Sequence, residues 1–585
     1  KRVVYVYGID GSAQLYLRWM DTGQTAKLTN LVTTPSGISW SPDGKNIAFS
    51  MRVPQKNEPF VKLPPKPEGA EWAEPAKVIR KLNYRYDGKG FLKDGYHHLF
   101  VLPAEGGTPR QLTSGNFHHN GTPSWSADGK SLIFSANRRD DWEHEPRNSE
   151  IYELSLKDRE IHPLTDRVGP DENPVVSPDG EQIAYLGFDD KREGYQITRL
   201  YVMNRDGSDP RAVTADVDRS VRAPLWSRDG RGLFFQFDNQ GDTQIGFVSL
   251  AGKPTTVAKN VGGTTLGRPY AGGSFSVSHN GTVAFTQTRF ASPADVAVVG
   301  RGTENPRQIT FLNDDLLAHK TLATVEEIQY SSSHDGRKIQ GWIVKPPGFD
   351  PNRKYPLILE IHGGPFANYG PRFTAEIQLY AAAGYVVFYA NPRGSTGYGK
   401  EFGNLIHHAY PGHDYDDLMS GVDAVIQRGY IDEDHLFVTG GSGGGVLTSW
   451  IVGKTGRFRA AVAAKPVINW YSFVLTSDIY PFFTKYWFPG FPWDHPEHYM
   501  KRSPLSLVGN VTTPTMLLTG EVDYRTPISE SEQFYQALKL RKIDTVLVRI
   551  PGASHAIVAR PSRMIVKVSH ILKWFEMYKK PEPSD

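Results

Sequence analysis

Three residues of the types needed for serine hydrolysis occur in the second half of this 585-residue chain, in the order Ser442, Asp523, His555. Ser442 is the central residue of Gly440-Gly-Ser-Gly-Gly444, which stands between a short apolar strand and a helical run, the context of a nucleophile elbow. A serine hydroxyl attacks a carbonyl only when a base takes its proton, and the base needs an acid to fix its tautomer. Asp523 and His555 follow two consecutive apolar strands, so the sequence predicts Ser442 as nucleophile, His555 as base and Asp523 as orienting acid. Glu521 is the alternative acid.

The tetrahedral intermediate of such a reaction needs donors for its oxyanion. The backbone N–H of Gly443 lies directly after the nucleophile and at the start of a helix, where free amides point toward negative charge. A second donor is expected from the loop His362-Gly-Gly-Pro365, which also follows an apolar strand. We predict Gly443 and Gly364 as the oxyanion donors.

The elements around these residues alternate between apolar strands and helices from residue 326 onward. Near-continuous apolar strands separated by helices indicate a parallel sheet covered on both faces, with its active site at the carboxyl ends of the strands. The sequence therefore predicts an α/β-hydrolase domain over residues 326–585. Residues 311–325 are expected to be a linker.

The first half contains a repeated tight turn. Its five copies are Ser41-Pro-Asp-Gly44, Ser126-Ala-Asp-Gly129, Ser177-Pro-Asp-Gly180, Ser227-Arg-Asp-Gly230 and Ser278-His-Asn-Gly281. Asp-Gly and Asn-Gly favour the positive φ of hairpin turns, and period-2 strands at roughly 50-residue intervals are typical of four-stranded propeller blades. We predict an all-β propeller over residues 1–310 with a truncated first blade. An insertion at about residues 54–95 is expected to be a loop with some strand at 77–84; a further blade is the alternative.

Composition excludes several classes of function. The net charge of +3 gives no indication of a nucleic-acid partner, no apolar run is long enough for a membrane helix, and the absence of cysteine excludes thiol chemistry. The absence of thiols slightly favours export, and a removed export signal would be compatible with a sequence that starts at Lys1 without Met, but the compartment stays open. His407, His408 and His413 lack a matching carboxylate or cysteine spacing, so we predict no metal and no cofactor. The sequence does not determine the oligomeric state, and a homo-oligomer is compatible with it.

The motifs together resemble the prolyl oligopeptidase family of serine peptidases, in its acylaminoacyl-peptidase and dipeptidyl-peptidase branch. The resemblance covers about residues 326–578 and rests on the elbow and on the segments His362–Pro365, Asn391-Pro-Arg-Gly-Ser-Thr-Gly-Tyr-Gly399, Gly520-Glu-Val-Asp-Tyr-Arg-Thr-Pro527 and Gly552-Ala-Ser-His555. It departs from a common family pattern at Tyr410-Pro-Gly-His-Asp414, where a Trp-Gly pair often precedes the Asp.

The resemblance implies roles for further residues. Arg525 would bind a substrate backbone carbonyl; a solvated charge is the alternative. The aromatic run that includes Phe482, Phe483 and Trp487 would line an apolar S1 pocket, although core packing explains these aromatic residues equally well. The family's propeller limits access, so short peptides are the expected substrates. A free substrate amine would need acidic partners, for which Glu143 and Glu145 of a propeller loop are candidates; a solvated turn is the alternative.

The sequence thus favours a serine peptidase that cleaves short peptides near the N-terminus. A dipeptidyl-peptidase and an acylaminoacyl-peptidase both fit the pattern. An esterase or thioesterase would use the same triad, and a propeller-led binding protein is a third class. The complete set Ser442, Asp523 and His555 argues against the binding protein.

Overall fold

Antiparallel strands account for nearly all regular structure in the first half of the chain. The computed structural model describes residues 1–9, 12–56, 58–263, 266–300 and 305–579. Within them, one three-stranded and five four-stranded sheets follow one another along the chain. The strands of each sheet lie in chain order, and a separate two-stranded hairpin is inserted within the second sheet. The chain divides into two compact units, Lys1–Asp190 with Leu200–Val213 and Lys191–Arg199 with Thr214–Asp585. The first four sheets belong to the first unit, and the last two lie in the second unit with the helices.

The strands of this half are two to eight residues long. Their bounds are β1 (Arg2–Ile9), β2 (Ser12–Trp19), β3 (Thr25–Lys27), β4 (Pro35–Trp40), β5 (Asn46–Val53), β6 (Arg85–Tyr86), β7 (Gly90–Phe91), β8 (Tyr96–Pro103), β9 (Arg110–Gln111), β10 (Ser124–Trp125), β11 (Ser131–Ala136), β12 (Glu150–Ser155), β13 (Ile161–Pro163), β14 (Asp171–Val176), β15 (Gln182–Gly187), β16 (Arg199–Asn204), β17 (Arg211–Ala212), β18 (Val221–Trp226), β19 (Gly232–Asn239), β20 (Asp242–Ser249), β21 (Thr255–Ala258), β22 (Phe275–Val277), β23 (Val283–Arg289), β24 (Ser292–Val299) and β25 (Arg307–Gln308). Sheet β1–β2–β3 is the three-stranded one.

Each repeated turn joins the first two strands of a four-stranded sheet. In all five, the serine Oγ donates to the Asp or Asn two residues later at 2.5–2.7 Å. That Oγ also accepts the backbone N–H at the start of the next strand, as Ser41 does from Asn46 at 2.9 Å. The closing glycine has a positive φ, for example 68° at Gly44. Each repeated motif is therefore a hydrogen-bonded turn that reverses the chain direction, so that the two flanking strands pair antiparallel.

The prediction of strand within 77–84 is wrong. The inserted hairpin is formed by β6 and β7 instead, around Asp87-Gly88, and residues 77–80 are exposed and not part of a strand. Alternating residues form a strand only where a partner backbone is available.

Beyond β25 the chain builds one eight-stranded sheet covered by helices. Its strands are β26 (Thr324–Ser331), β27 (Lys338–Lys345), β28 (Tyr355–Ile361), β29 (Val386–Asn391), β30 (Ile431–Gly441), β31 (Ala460–Ala464), β32 (Thr515–Gly520) and β33 (Leu547–Ile550). The helices are α1 (Asp314–Leu317), α2 (Ala375–Ala382), α3 (Lys400–Asn404), α4 (Asp414–Ile426), α5 (Gly443–Lys454), α6 (Trp470–Thr476), α7 (Tyr480–Tyr486), α8 (Pro496–Arg502), α9 (Ile528–Leu540) and α10 (Pro561–Met577), with 3₁₀ turns at Pro504–Asn510 and Ile557–Ala559.

The sheet has the order β26-β27-β29-β28-β30-β31-β32-β33. The first two pairs in this order are antiparallel, and all pairs from β29–β28 to β32–β33 are parallel. Alternate residues of β28 enter two different cores: Leu357 and Leu359 face one, and Ile358 faces the other. Because both faces are buried, the strands read as continuous apolar runs rather than as alternating ones. The loops after β28, β30, β31, β32 and β33 consequently emerge at one edge of the sheet.

Two further observations bear on the predicted organisation. The boundaries proposed from the sequence, at residues 310 and 326, fall near the end of β25 and the start of β26; residues 301–304 and 580–585 of the predicted domains lie outside the described ranges. Among the described helices, none has the length and apolar character needed to cross a membrane.

Candidate active site

Ser442 stands in the sharp turn between β30 and α5. Its φ of 60° and ψ of −122° are strained for a residue with a side chain. The turn is held at both ends, because the Ser442 N–H donates to the carbonyl of Ala464 at 3.0 Å and its carbonyl accepts from Val446 at 2.9 Å. A strained serine fixed by the surrounding backbone is the geometry of a nucleophile elbow.

The glycines of the elbow allow its backbone to approach its neighbours. A Cβ on Gly440 would lie 2.4 Å from the carbonyl oxygen of Gly444, and one on Gly444 would lie 2.1 Å from the carbonyl oxygen of Ile361. Both contacts are with backbone that cannot move aside. The G-x-S-x-G spacing is therefore required by packing of α5 against β28 and β30.

Asp523 and His555 meet on the loops after β32 and β33. His555 Nδ1 lies 2.8 Å from Asp523 Oδ2, and the carboxylate also accepts the backbone N–H of Thr526 at 2.9 Å and of Arg525 at 3.0 Å. Burial would raise the pKa of Asp523, but the adjacent His555 and these hydrogen bonds hold it below its usual value. A buried, ionised Asp at Nδ1 leaves Nε2 available as a base.

Glu521, the alternative acid, lies elsewhere. Its Oε1 accepts from Arg549 Nε at 3.2 Å on the protein surface. The carboxylate within hydrogen-bond distance of His555 is that of Asp523.

The two predicted oxyanion donors are neighbours. A Cβ on Gly443 would lie 3.0 Å from the backbone nitrogen of Gly364 and 3.0 Å from the hydroxyl of Tyr410, which donates to the Gly443 carbonyl at 2.7 Å. The loop bearing Gly364 is fixed by His362, whose Nε2 lies 2.9 Å from Ser395 Oγ. Two backbone amides therefore lie close together beside the elbow.

A segment assigned from the sequence to the propeller also reaches this loop. Gly363 donates its N–H to the hydroxyl of Tyr270 at 2.6 Å, and a Cβ on Gly363 would lie 2.9 Å from that hydroxyl and 3.1 Å from Cβ of Ser442. Arg268 lies below the elbow, where its guanidinium donates to Glu360 and a Cβ on Gly441 would overlap it. Both residues lie between β21 and β22, in a stretch without a motif, so sequence reasoning missed them.

Lys465 links the loops of the predicted triad. It directly follows Ala464, the residue bonded to Ser442, and its Nζ donates to the carbonyl of His555 at 2.7 Å. Its own carbonyl accepts from Thr526 Oγ1, which also bonds Asp523. Burial and then the charge of Arg268 lower the pKa of Lys465 to about 7. Its position at the carboxyl end of β31 was the available sequence signal, and it was overlooked.

Arg525 is oriented by a buried carboxylate. Its Nε donates to Asp478 Oδ1 at 2.6 Å and its second nitrogen donates to Oδ2 at 3.2 Å, while the Asp478 side chain is fully buried. The arginine side chain remains partly exposed. A planar guanidinium fixed in this way can present N–H donors in a defined direction. Asp478 carried no sequence signal.

Exchange of Arg525 for lysine tests its predicted role in binding a substrate carbonyl. We expect Arg525→Lys to raise KM for a peptide about tenfold, a loss of roughly 1.4 kcal/mol, with kcat nearly unchanged. Lysine keeps the charge but lacks the guanidinium fork. Steady-state kinetics with Arg549→Lys, which alters a surface pair with Glu521, as the control would measure it. An unchanged KM would mean that Arg525 pairs with Asp478 but does not bind the substrate carbonyl.

The predicted S1 aromatics differ in their surroundings. Phe483 is buried, with its ring centroid 4.7 Å from that of Phe473. Trp487 is half-buried and lies 5.7 Å from Phe366, which is two residues beyond Gly364. Phe482 is half-buried and stacks on Tyr486. The structure thus places Trp487 beside the loop that carries Gly364, and Phe483 in the core.

Glu143 and Glu145 lie in the first compact unit, in the loop between β11 and β12. One carboxylate oxygen of Glu143 is buried without a hydrogen-bond partner among the described residues, and the other is 3.5 Å from the N–H of Leu82. The carbonyl of Glu145 accepts from Asn137 at 2.7 Å. Of the two predicted amine anchors, Glu143 has the unsatisfied acceptor.

Two family descriptions match parts of the chain. Residues 371–581 match the prolyl oligopeptidase family, and residues 70–186 match the dipeptidyl peptidase IV N-terminal region. An uncharacterized peptidase, YuxL, of Bacillus subtilis is 34% identical over 588 residues, covering 97% of this chain and 87% of the relative. Dipeptidyl-peptidase 5 of Porphyromonas gingivalis is 25% identical over 609 residues, covering 99% and 85%.

Solved structures match the whole chain. Pyrococcus horikoshii acylaminoacyl peptidase aligns with a TM-score of 0.82 and 22% identity, covering 100% of this chain and 88% of that one. The likeness establishes the fold: the six sheets of the first half are the blades of a β-propeller, and the eight-stranded sheet belongs to an α/β-hydrolase domain. The predicted fold class is confirmed.

Proposed function

Because this chain belongs to the prolyl oligopeptidase family of serine peptidases, we propose that it releases dipeptides from the free N-terminus of short peptides. The observation that carries the chemistry is the 2.8 Å contact between His555 Nδ1 and buried Asp523, on loops at the same sheet edge as Ser442. Relatives named dipeptidyl-peptidase 5, one of them aligned over 99% of the chain, support the choice of product.

In the proposed first step, Ser442 Oγ attacks the carbonyl carbon of the scissile bond while His555 Nε2 takes the hydroxyl proton. The oxyanion accepts hydrogen bonds from the N–H groups of Gly443 and Gly364, whose close placement supports this role. His555 then gives its proton to the leaving nitrogen, the C–N bond breaks, and an acyl-enzyme ester remains.

The second step repeats the chemistry with water. His555 takes a proton from the water that attacks the ester, and it returns that proton to Ser442 Oγ as the dipeptide acid leaves. Asp523 stabilises the imidazolium in both steps. Arg525, oriented by Asp478, would bind a substrate backbone carbonyl, and Trp487 with Phe482 would contact the side chain before the cleaved bond.

Glu143 supports the preference for a free amine. A buried carboxylate oxygen that has no hydrogen-bond partner in the described part of the chain is costly, and a substrate ammonium would satisfy it with a charge-assisted hydrogen bond. An acylated N-terminus offers no such positive charge. Glu143 therefore stays the proposed partner of a substrate amine, and we expect the family's propeller to restrict substrates to short peptides.

The test compares one peptide in two forms, free and N-acetylated, with an apolar second residue, followed by mass spectrometry of the products. We expect dipeptide release from the free peptide only, and we expect Glu143→Gln to raise KM for that peptide about tenfold. Asp141→Asn, an exposed acid of the same loop, is the matched control. Release of an acetyl-amino acid from the blocked form would instead make the enzyme an acylaminoacyl-peptidase. Turnover of esters without either peptide would favour an esterase.

A further inference from the structure

Three side chains that commonly bind transition metals meet outside the catalytic site. His334 lies in the turn between β26 and β27, His413 directly precedes α4, and Asp416 is in the first turn of α4. One ligand atom from each lies within 4.8 Å of the other two. The imidazole rings stack with centroids 3.4 Å apart, and His413 Nδ1 is 2.8 Å from Asp416 Oδ2.

The two elements that carry these residues are joined by a buried arginine. Arg393 donates to Asp417 of α4 at 2.8 and 2.9 Å and to Asp335 of the β26–β27 turn at 3.1 and 3.3 Å. Its side chain is only 4% exposed. Since Asp335 follows His334 and Asp417 follows Asp416, the network fixes the backbone on both sides of the cluster.

A second contact supports the same arrangement. Ser420 Oγ donates to the carbonyl of Asp416 at 2.7 Å and accepts the N–H of Ser333 at 2.9 Å. One hydroxyl thus spans from the neighbour of His334 to the backbone of Asp416. Preorganised ligand positions bind an ion with less ordering cost than mobile ones do.

The donor set selects a class of ion. Two imidazoles and one carboxylate suit Zn²⁺ and related transition metals, whereas Mg²⁺ requires a shell of oxygen ligands. In tetrahedral zinc sites the ligand atoms are about 3.4 Å apart, so the two exposed rings would have to turn from their stacked arrangement to direct their nitrogens at one ion. Both histidines are exposed, which leaves the fourth position to water.

We propose that His334, His413 and Asp416 form a zinc site that clamps the β26–β27 turn to α4. This proposal departs from the sequence-based prediction of no metal, which grouped His413 with His407 and His408. The fold brings His413 against His334 instead, a partner that lies far away in the sequence. The site shares no residue with the proposed peptidase machinery.

The experiment titrates metal-free full-length protein with ZnCl₂ by isothermal calorimetry, with MgCl₂ as a comparison, and follows Tm in parallel. We expect one saturable Zn²⁺ site, a higher Tm with Zn²⁺ and neither effect with Mg²⁺. His334→Ala and His413→Ala should each raise Kd at least tenfold and remove the Tm shift. These exposed substitutions should leave the metal-free Tm unchanged.

The chain supplies a matched control and a rival site. His435 makes the same contact with the acid three residues before it, Asp432, but no second histidine of the described chain joins them in a metal-binding group; His435→Ala should keep the wild-type Kd. The stacked pair His407 and His408 is the rival. No saturable binding, or binding lost in His407→Ala/His408→Ala but kept in His334→Ala, would overturn the proposal.

Discussion

Replacement of Ser442 by alanine is expected to reduce peptide hydrolysis by about 10⁵–10⁶-fold. The reaction as proposed forms a covalent ester at Ser442 Oγ, and alanine has no atom that could replace this oxygen. The remaining rate would come from the oxyanion donors and from substrate binding alone. Because Ser442 is half-buried and alanine keeps its Cβ, KM and Tm should change little.

Single-turnover assays of Ser442→Ala, combined with circular dichroism and Tm, would measure this loss separately from folding. Ser529→Ala, at an exposed serine in the first turn of α9, should retain full activity. A residual rate within tenfold of the wild type would contradict the assignment of Ser442 as nucleophile.

The second large effect is expected at Asp523, where exchange for asparagine should lower kcat about 10⁴-fold. The carboxylate accepts the proton on His555 Nδ1, and an amide can place its NH₂ group there instead. His555 would then carry its proton on Nε2 and could not take one from Ser442. Asp523 Oδ1 also accepts two backbone N–H groups. These donors favour the amide oxygen of asparagine at the Oδ1 position, so the NH₂ group would face His555.

The pH-rate profile and kcat of Asp523→Asn would be compared with those of Glu521→Gln. The Glu521 variant alters only a surface pair with Arg549 and should remain near the wild-type rate. A larger loss in Glu521→Gln than in Asp523→Asn would reverse the assignment of the acid.

The residues predicted from the sequence share a position at strand ends. Ser442, Asp523 and His555 each follow an apolar strand, and parallel strands bring their carboxyl ends to one edge whatever their separation in the chain. The turns of the propeller were equally predictable, since their hydrogen bonds join residues at most five positions apart. Local chemistry and one rule of topology were sufficient for both.

The residues that sequence reasoning missed act through contacts between distant segments. Tyr270 supports Gly363, and Asp478 orients Arg525, but no spacing in the chain marks either pair. In the aromatic run, the residue types were visible in the sequence but their burial was not. The sequence could not show that Trp487 is half-buried whereas Phe483 lies in the core. The prediction of a strand at 77–84 was wrong because a strand also depends on a partner strand, which the local sequence does not contain.

The segment carrying Arg268 and Tyr270 bears on how such a gene can evolve by exchange of its parts. A hydrolase portion beginning at β26 would leave Glu360 as a buried charge without its arginine, a change that costs about 3–5 kcal/mol for a typical buried pair. A recombinant carrying another family member's propeller would need a matching arginine and tyrosine between its last blades. The segment between β21 and β22 is therefore expected to be needed for the stability of the sheet that carries Glu360.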